Sequence, residues 1–87
     1  MPRFTLDLRF TEEGLKKFRN NEHREIRDNH AKPFARDNGL AIISITDRPV
    51  GPIWIVEGEE SAVKKVLDRF NNPPNTPHGP TVRATIV

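Results

Sequence analysis

Hydrophobic and polar residues alternate at the start of the chain. Over residues 3–10 the apolar side chains occupy every second position, at Phe4, Leu6, Leu8 and Phe10. This period of two predicts a β-strand with one face on a core. Thr11 follows as a candidate N-cap, and Glu12 and Glu13 suit the positive end of a helix dipole. The pattern therefore predicts a strand that runs directly into a helix.

The helix predicted after Thr11 is long and unusually polar. Its main apolar positions are Leu15, Phe18, Ile26 and Phe34, and His23 and His30 fall on or near the same stripe. A core-facing helix normally has a wider apolar band, so its polar inward positions could line a cavity. Pro33 predicts a kink or interruption near residues 31–32, and the Asn38-Gly39 pair predicts the end of the helix.

Two apolar segments follow, over residues 40–46 and 53–56, and a turn-rich connection with Pro49 and Pro52 joins them. Both segments are apolar on both faces. In an antiparallel sheet with helices on one side, the second face is normally polar. The pattern therefore predicts that a second sheet or subunit covers that face.

A second amphipathic helix is predicted over residues 59–70, with Arg69 near its end. Its apolar stripe consists of Ala62, Val63, Val66, Leu67 and Phe70. A loop rich in proline and asparagine occupies residues 71–80, and residues 81–87 alternate again as a closing strand. The order β-α-β-β-α-β predicts one α+β domain over residues 1–87. This domain has the ferredoxin-like arrangement, a four-stranded antiparallel sheet with two helices on one face.

Composition narrows the chemistry. The chain has no cysteine, which excludes disulfides, thiolate nucleophiles and cysteine-based zinc sites. A chain of 87 residues buries a smaller fraction of its surface than a larger chain does, which favours self-association. No apolar run is long enough for a signal peptide or a membrane span, so we expect a soluble, cytoplasmic protein with no membrane partner.

Charge is balanced along the chain. The 14 Lys and Arg residues exceed the 12 Asp and Glu residues by only two, and over residues 12–37 the two signs are interspersed. This mixture is typical of a solvated helix face and not of a nucleic-acid-binding stripe. RNA-recognition motifs share the element order, but residues 51–57 lack the paired aromatics and the basic residue of their third strand. We expect no nucleic-acid partner.

Short motifs along the chain are similar to those of the bacterial GYD-domain proteins. Residues 4–16 resemble the family's opening, in which a strand runs into a Thr-x-x-Gly-(Leu/Ile) helix start. Further similar positions are Gly39-Leu40, Glu57 and residues 82–85. Where the family carries Gly-Tyr-Asp, this chain reads Gly51-Pro52-Ile53, so no role of that Tyr and Asp transfers.

The resemblance implies membership of the dimeric α+β-barrel superfamily, which includes muconolactone isomerases, antibiotic-biosynthesis monooxygenases, polyketide cyclases and Dabb proteins. It implies a homodimer whose two sheets pack face to face, with a pocket in each subunit between sheet and helices. Such a pocket would hold a small apolar or aromatic ligand. Cofactor-free enzymes of this superfamily act by proton transfer on aromatic, lactone or polyketide-like substrates.

Three histidines are the candidate catalytic residues. His23 and His30 are seven positions apart and so share a helix face, where an imidazole could move a proton near neutral pH. His78 lies in the loop before the last strand, where it could overhang a pocket mouth. Each histidine could instead be an ordinary polar surface residue. The candidate pocket-lining residues are Phe18, Ile26, Phe34 and Trp54, although Trp54 also suits a core or interface position.

Metal binding is not favoured by the histidine spacing. A separation of i,i+7 spans about 10 Å of helix axis, whereas two ligands on one helix usually stand at i,i+3 or i,i+4. We expect no metal and no cofactor. Asp7 and Arg9 face the presumed dimer side together with Arg83, and we interpret them as interfacial ion pairs and not as catalytic groups.

Two functions stay open on this basis. One is a cofactor-free isomerase, cyclase or monooxygenase with His23 or His30 as the base. The other is a non-catalytic protein that binds a small molecule or serves as an accessory. An open cavity with a histidine pointing inward would favour the enzyme, and a cavity filled by the apolar candidates would favour the second function.

Overall fold

The computed structural model describes residues 2–17, 29, 31–74 and 79–87. The strands are β1 (Arg3–Phe10), β2 (Ala41–Thr46), β3 (Ile53–Glu57) and β4 (Val82–Ile86). The helices are α1 (Glu12–Lys17), α2 (residues 31–37) and α3 (Glu60–Asn71). The region predicted as one long helix thus begins with α1 and ends with α2, and residues 18–28 between them lie outside the described chain.

The four strands form one antiparallel sheet in the order β2-β3-β1-β4. The first and third strands of the chain are therefore central, and β2 and β4 are the edges. This strand order with its helical connections is the ferredoxin-like α+β arrangement, so the predicted fold class is confirmed.

The core lies between the sheet and the helices. The alternation of β1 buries Leu6 and Leu8 completely on the helix side, as predicted. The apolar stripe of α3, whose residues recur about every 3.6 positions, packs on this same side of the sheet. The buried core residues are Leu6, Leu8, Ala35, Leu40, Trp54, Val56, Ala62, Val63, Val66, Val82 and Ala84.

Thr11 caps α1 and ties it to the segment before β4. Its hydroxyl accepts a hydrogen bond from the Gly14 amide at 3.2 Å and donates one to the Pro80 carbonyl at 2.6 Å. At Gly14 a Cβ would lie only 1.9 Å from the Thr81 carbonyl oxygen, so this close approach leaves no room for a side chain. Leu15, the next residue, is 53% exposed and is not the buried position that the apolar pattern predicts.

Pro33 does not interrupt its helix. Residues 31–37 are all helical, so the helix is not interrupted at residues 31–32, and the alternative of a kink there stays a prediction. The φ angle of proline is itself helical, so the residues after Pro33 can continue the helix. The clash of the proline ring concerns the turn before it and leaves those later residues unaffected.

The end of α2 is confirmed at Asn38-Gly39. The Gly39 amide donates to the Arg36 carbonyl at 2.9 Å, and the Leu40 amide donates to the Ala35 carbonyl at 3.0 Å. This pair of bonds is the Schellman arrangement, which satisfies the last carbonyls of a helix. It places Leu40 in the core at the entry to β2.

Asn71, the last residue of α3, covers the outer edge of β4. Its Nδ2 donates to the Ala84 carbonyl at 3.0 Å, and its Oδ1 accepts from the Ala84 amide at 2.7 Å. Ala84 stands opposite Leu8 of β1, and its own backbone groups are bonded by this side chain. One amide thus replaces a neighbouring strand at this point of the edge.

Candidate ligand-binding site

A cavity of about 240 Å³ lies where α2, α3 and the start of β4 meet. Because Val66 and Val82 of its wall also belong to the core, the cavity is on the helix side of the sheet, where the resemblance implies a pocket. In the described part of the chain its lining residues are Ala31, Phe34, Val66, Arg69, Phe70, Pro73, Thr81 and Val82. The wall is mainly aliphatic and aromatic.

Two aromatic side chains belong to this wall, Phe34 from α2 and Phe70 from α3. Phe70 also meets Trp54 edge to face, with ring centroids 5.5 Å apart and an interplanar angle of 84°. Trp54 is fully buried and does not line this cavity. Among the residues described, no acceptor bonds its indole Nε1. Of the predicted pocket residues, Phe34 therefore lines the cavity and Trp54 supports the wall through Phe70.

Arg69 is the cation among the described residues of the cavity wall. Its guanidinium carbon lies 5.2 Å from the centroid of the Phe34 ring, a cation–π contact between α3 and α2. Within the described ranges no carboxylate forms an ion pair with Arg69. Sequence reasoning assigned this residue only to the helix end. Its spacing of three from Val66 was the signal that it borders the apolar stripe.

The candidate catalytic histidines, His23, His30 and His78, lie outside the described residues, as do Phe18 and Ile26. Their roles stay predictions. Among the residues that the structure does describe, no group of three or more acidic or histidine side chains could hold a metal ion. No helix in the same part of the chain is long and apolar enough to cross a membrane.

The sheet face opposite the helices is also partly apolar. Ile53 and Ile55 alternate with the buried Trp54 and therefore point away from the helices, where each is half-buried. At the bulge of β2, Ile43 is 45% exposed.

In the strand register Ser44 and Thr46 of β2 stand opposite Ile55 and Ile53, so β2 presents these two polar residues on the outer face. The two-sided apolar character predicted for both segments is therefore present in β3, and the prediction is wrong for β2 at these positions. In the single chain the outer side of β3 has no covering layer among the described residues.

Asp7 stands on this outer face in a charged group that includes Arg48. The Arg48 Nη2 donates to Asp7 Oδ1, and the Arg9 Nε donates to Asp7 Oδ2 at 3.4 Å. The hydrogen bond from Arg48 is the main reason why the pKa of Asp7 is held below its ordinary value. Arg83, predicted in the same set, stands opposite Arg9 in the strand register and pairs with no carboxylate in the described chain. Sequence reasoning missed Arg48 because only folding of its loop brings it to β1.

The loop that carries Arg48 extends the pairing of β1 with β3. The Leu8 amide donates to the Pro52 carbonyl at 3.0 Å, and the Arg48 Nε donates to the Gly51 carbonyl at 2.8 Å. Gly51 has a φ of +134°, and a Cβ there would lie 2.1 Å from the Leu8 carbonyl oxygen. A glycine is therefore required here, at the position where the resemblance aligns the first residue of Gly-Tyr-Asp.

Comparison with known proteins adds no relative. The chain matches no protein-family model, no curated protein and no solved structure. The similarity to GYD-domain proteins therefore depends on the short motifs quoted above and stays a prediction.

Proposed function

We propose that this chain is a cytoplasmic, GYD-like homodimer of the dimeric α+β-barrel type that binds a small apolar or aromatic molecule. The ligand occupies the cavity between α2, α3 and the start of β4. The observation that carries the proposal is this cavity of about 240 Å³, with phenylalanines in its wall and Arg69 beside them. A mostly apolar pocket with few polar groups is the usual form of a small-molecule site.

The cavity volume limits the ligand to a small molecule. An apolar cavity of about 150 Å³ takes up benzene, and pockets for drug-sized ligands span about 300–1,000 Å³. A cavity of about 240 Å³ lies between these cases. It fits a single substituted ring or a short aliphatic chain.

The second apolar face of the sheet supports the dimer part of the proposal. Ile53 and Ile55 lie on the side opposite the ligand cavity, so a second copy can cover them without blocking it. In a two-fold dimer the same patch meets its own copy, and covering these isoleucines removes apolar surface from water. The charges around Asp7 lie on the same face and would border the interface.

Catalysis is the second form of the proposal and depends on the histidines. In the described part of the cavity wall, the one ionisable side chain is Arg69, whose guanidinium offers hydrogen-bond donors and no acceptor for a substrate proton. Proton transfer would therefore require His23, His30 or His78 as acid or base. Without such a residue at the cavity the protein binds its ligand and leaves it unchanged.

The binding proposal is tested with neutral single-ring ligands such as ethylbenzene. Trp54 is the sole tryptophan, the chain has no tyrosine, and Phe70 links that indole to the cavity wall, so intrinsic fluorescence reports on the site. We expect a saturable fluorescence change and a higher melting temperature with the ligand. In Ala31→Phe the new ring fills the cavity and should abolish both effects, while Arg36→Phe adds the same ring at an exposed position of α2 and should keep them. No saturable response in the unsubstituted protein would contradict the proposal.

The catalytic form is tested by hydrogen exchange into a bound lactone. If a histidine transfers protons, deuterium at the carbon next to the lactone carbonyl should be lost to water faster with the protein present. The single variants His23→Gln, His30→Gln and His78→Gln then identify the residue, because one of them should abolish the acceleration. Binding without any acceleration would assign the non-catalytic function.

A further inference from the structure

We infer that the ligand of this cavity is an apolar or aromatic carboxylate whose hydrophobic part fills the cavity and whose carboxylate pairs with Arg69. This inference rests on the proposed function and specifies the ligand class of the same site. It follows from the position of the Arg69 charge at the edge of a wall whose other described residues are uncharged.

Arg69 is exposed while it lines the cavity, whereas Val66 and Val82 of the same wall are buried. The guanidinium therefore stands at the solvent side of the cavity and the aliphatic groups stand on the protein side. This order matches a molecule with a charged head and an apolar body. A ligand cation would be repelled at the same place.

The contact with Phe34 orients the guanidinium. Its central carbon lies 5.2 Å from the ring centroid, and the stem of Arg69 is anchored on α3. A guanidinium has five N–H donors in its plane, and a carboxylate can accept two of them side by side. Because the group is already held against the ring, less side-chain freedom is lost when a ligand binds.

The nearby acids of α3 do not compete for this charge. Glu60 is paired with Lys64 at 3.7 Å, and Asp68 accepts a hydrogen bond from the Asn72 side chain at 3.0 Å. The described cavity wall itself contains no carboxylate. An incoming anion would therefore meet a positive group without a negative neighbour in the wall, at the described positions.

The test compares 3-phenylpropanoate with its neutral isostere 3-phenylpropanamide on the full chain by calorimetric titration. We expect the acid to bind about fivefold to tenfold more tightly than the amide at low salt, with the difference shrinking as ionic strength rises. In Arg69→Gln the amide should keep its affinity and the preference for the acid should disappear. Arg69→Lys should keep part of the preference, because the charge remains and the side-by-side geometry is lost. Lys65→Gln removes an exposed cation of the same helix that does not line the cavity, and should behave like the unsubstituted protein.

The outcomes separate the inference from the proposed function. If acid and amide bind equally, or if Arg69→Gln keeps the preference for the acid, the inference is overturned and the binding function stands. If neither compound binds and ethylbenzene also gives no response, the proposed function fails as well. Melting curves of each variant show that a lost preference is not a lost fold.

Discussion

At the scale of single residues, the loop between β2 and β3 is held to β1 by contacts that allow little substitution. Gly51 brings the loop backbone against Leu8, and Arg48 binds Asp7 of the same strand. Both contacts join positions about 40 apart in the chain. Substitutions at Gly51 and at Asp7 should therefore lower the free energy of unfolding of the whole domain.

The close approach at Gly51 leaves no room for a side chain. Gly51→Ala should lower the free energy of unfolding by about 3 kcal/mol or more, since it adds a backbone clash to an unfavourable φ. Gly39→Ala is the matched control. Gly39 also has a positive φ, +89°, but no atom lies within 4 Å of the place that a Cβ would occupy, so about 1 kcal/mol should be lost. Urea unfolding of both variants measures the difference, and equal losses would contradict the account.

The charge of Asp7 should make stability depend on pH. The Arg48 hydrogen bond lowers the folded pKa of Asp7, so its contribution is present above the ordinary carboxyl pKa and is lost as pH falls through the lower folded value. Asp7→Asn should therefore cost about 1–2 kcal/mol at neutral pH and much less at about pH 2.

Urea unfolding at the two pH values provides the measurement. Asp37→Asn, which alters an exposed acid at the end of α2, should leave the pH dependence unchanged. A stability difference between Asp7→Asn and the unsubstituted protein that is the same at both pH values would argue against the Arg48 pair.

At the scale of elements, the backbone of the two edge strands is interrupted in different ways. The edge of β4 is covered at Ala84 by the side chain of Asn71, whereas β2 carries a bulge at Ile43. Both devices interrupt the regular row of backbone groups that an edge strand offers to other chains. The C-terminal end of α3 is thereby attached to the sheet.

Asn71→Ala should lower the free energy of unfolding by about 1–2 kcal/mol and speed amide hydrogen exchange at Ala84, since both edge bonds are lost. Asn72→Ala serves as the control. Within the part of the chain that the structure describes, its side chain bonds the exposed Asp68 and no other residue, and the change should cost less than about 0.5 kcal/mol. Normal exchange at Ala84 in Asn71→Ala would show that the edge does not depend on this amide.

Strands and helices could be predicted from the sequence where a local pattern of apolar residues determines them. Alternation around Leu6 and Leu8 locates β1, and the stripe through Val63 and Val66 locates α3, because one buried face imposes a period. The missed features depend on tertiary contacts. Arg48 and Arg69 acquire their roles only when a loop reaches β1 and α3 meets α2. The spacing of Arg69 from Val66 indicates that it borders the apolar stripe, but no local spacing encodes its contact with Phe34 or the contact of Arg48 with Asp7.

At the scale of the whole molecule, the sheet separates two surfaces that differ in composition. The helix side contains the core and the ligand cavity, and the outer side presents isoleucines within a set of charges. We propose that a second copy of the chain covers the outer side. The two surfaces should therefore respond independently to substitution.

Ile55→Lys should convert the proposed dimer to a monomer, because it places a charge on the outer face of the central strand β3. The helix-side cavity should still give the fluorescence response to ethylbenzene. Leu15→Lys replaces another apolar residue with surface exposure, on α1, and should remain dimeric. A dimer that survives Ile55→Lys would place its interface elsewhere.

The most direct test of the central claim is the mass of the unsubstituted protein in solution, measured by light scattering over a range of concentrations. We expect about twice the 10.0 kDa chain mass. A stable particle of 10.0 kDa at every concentration would show that the outer sheet face needs no second copy, and would contradict the account.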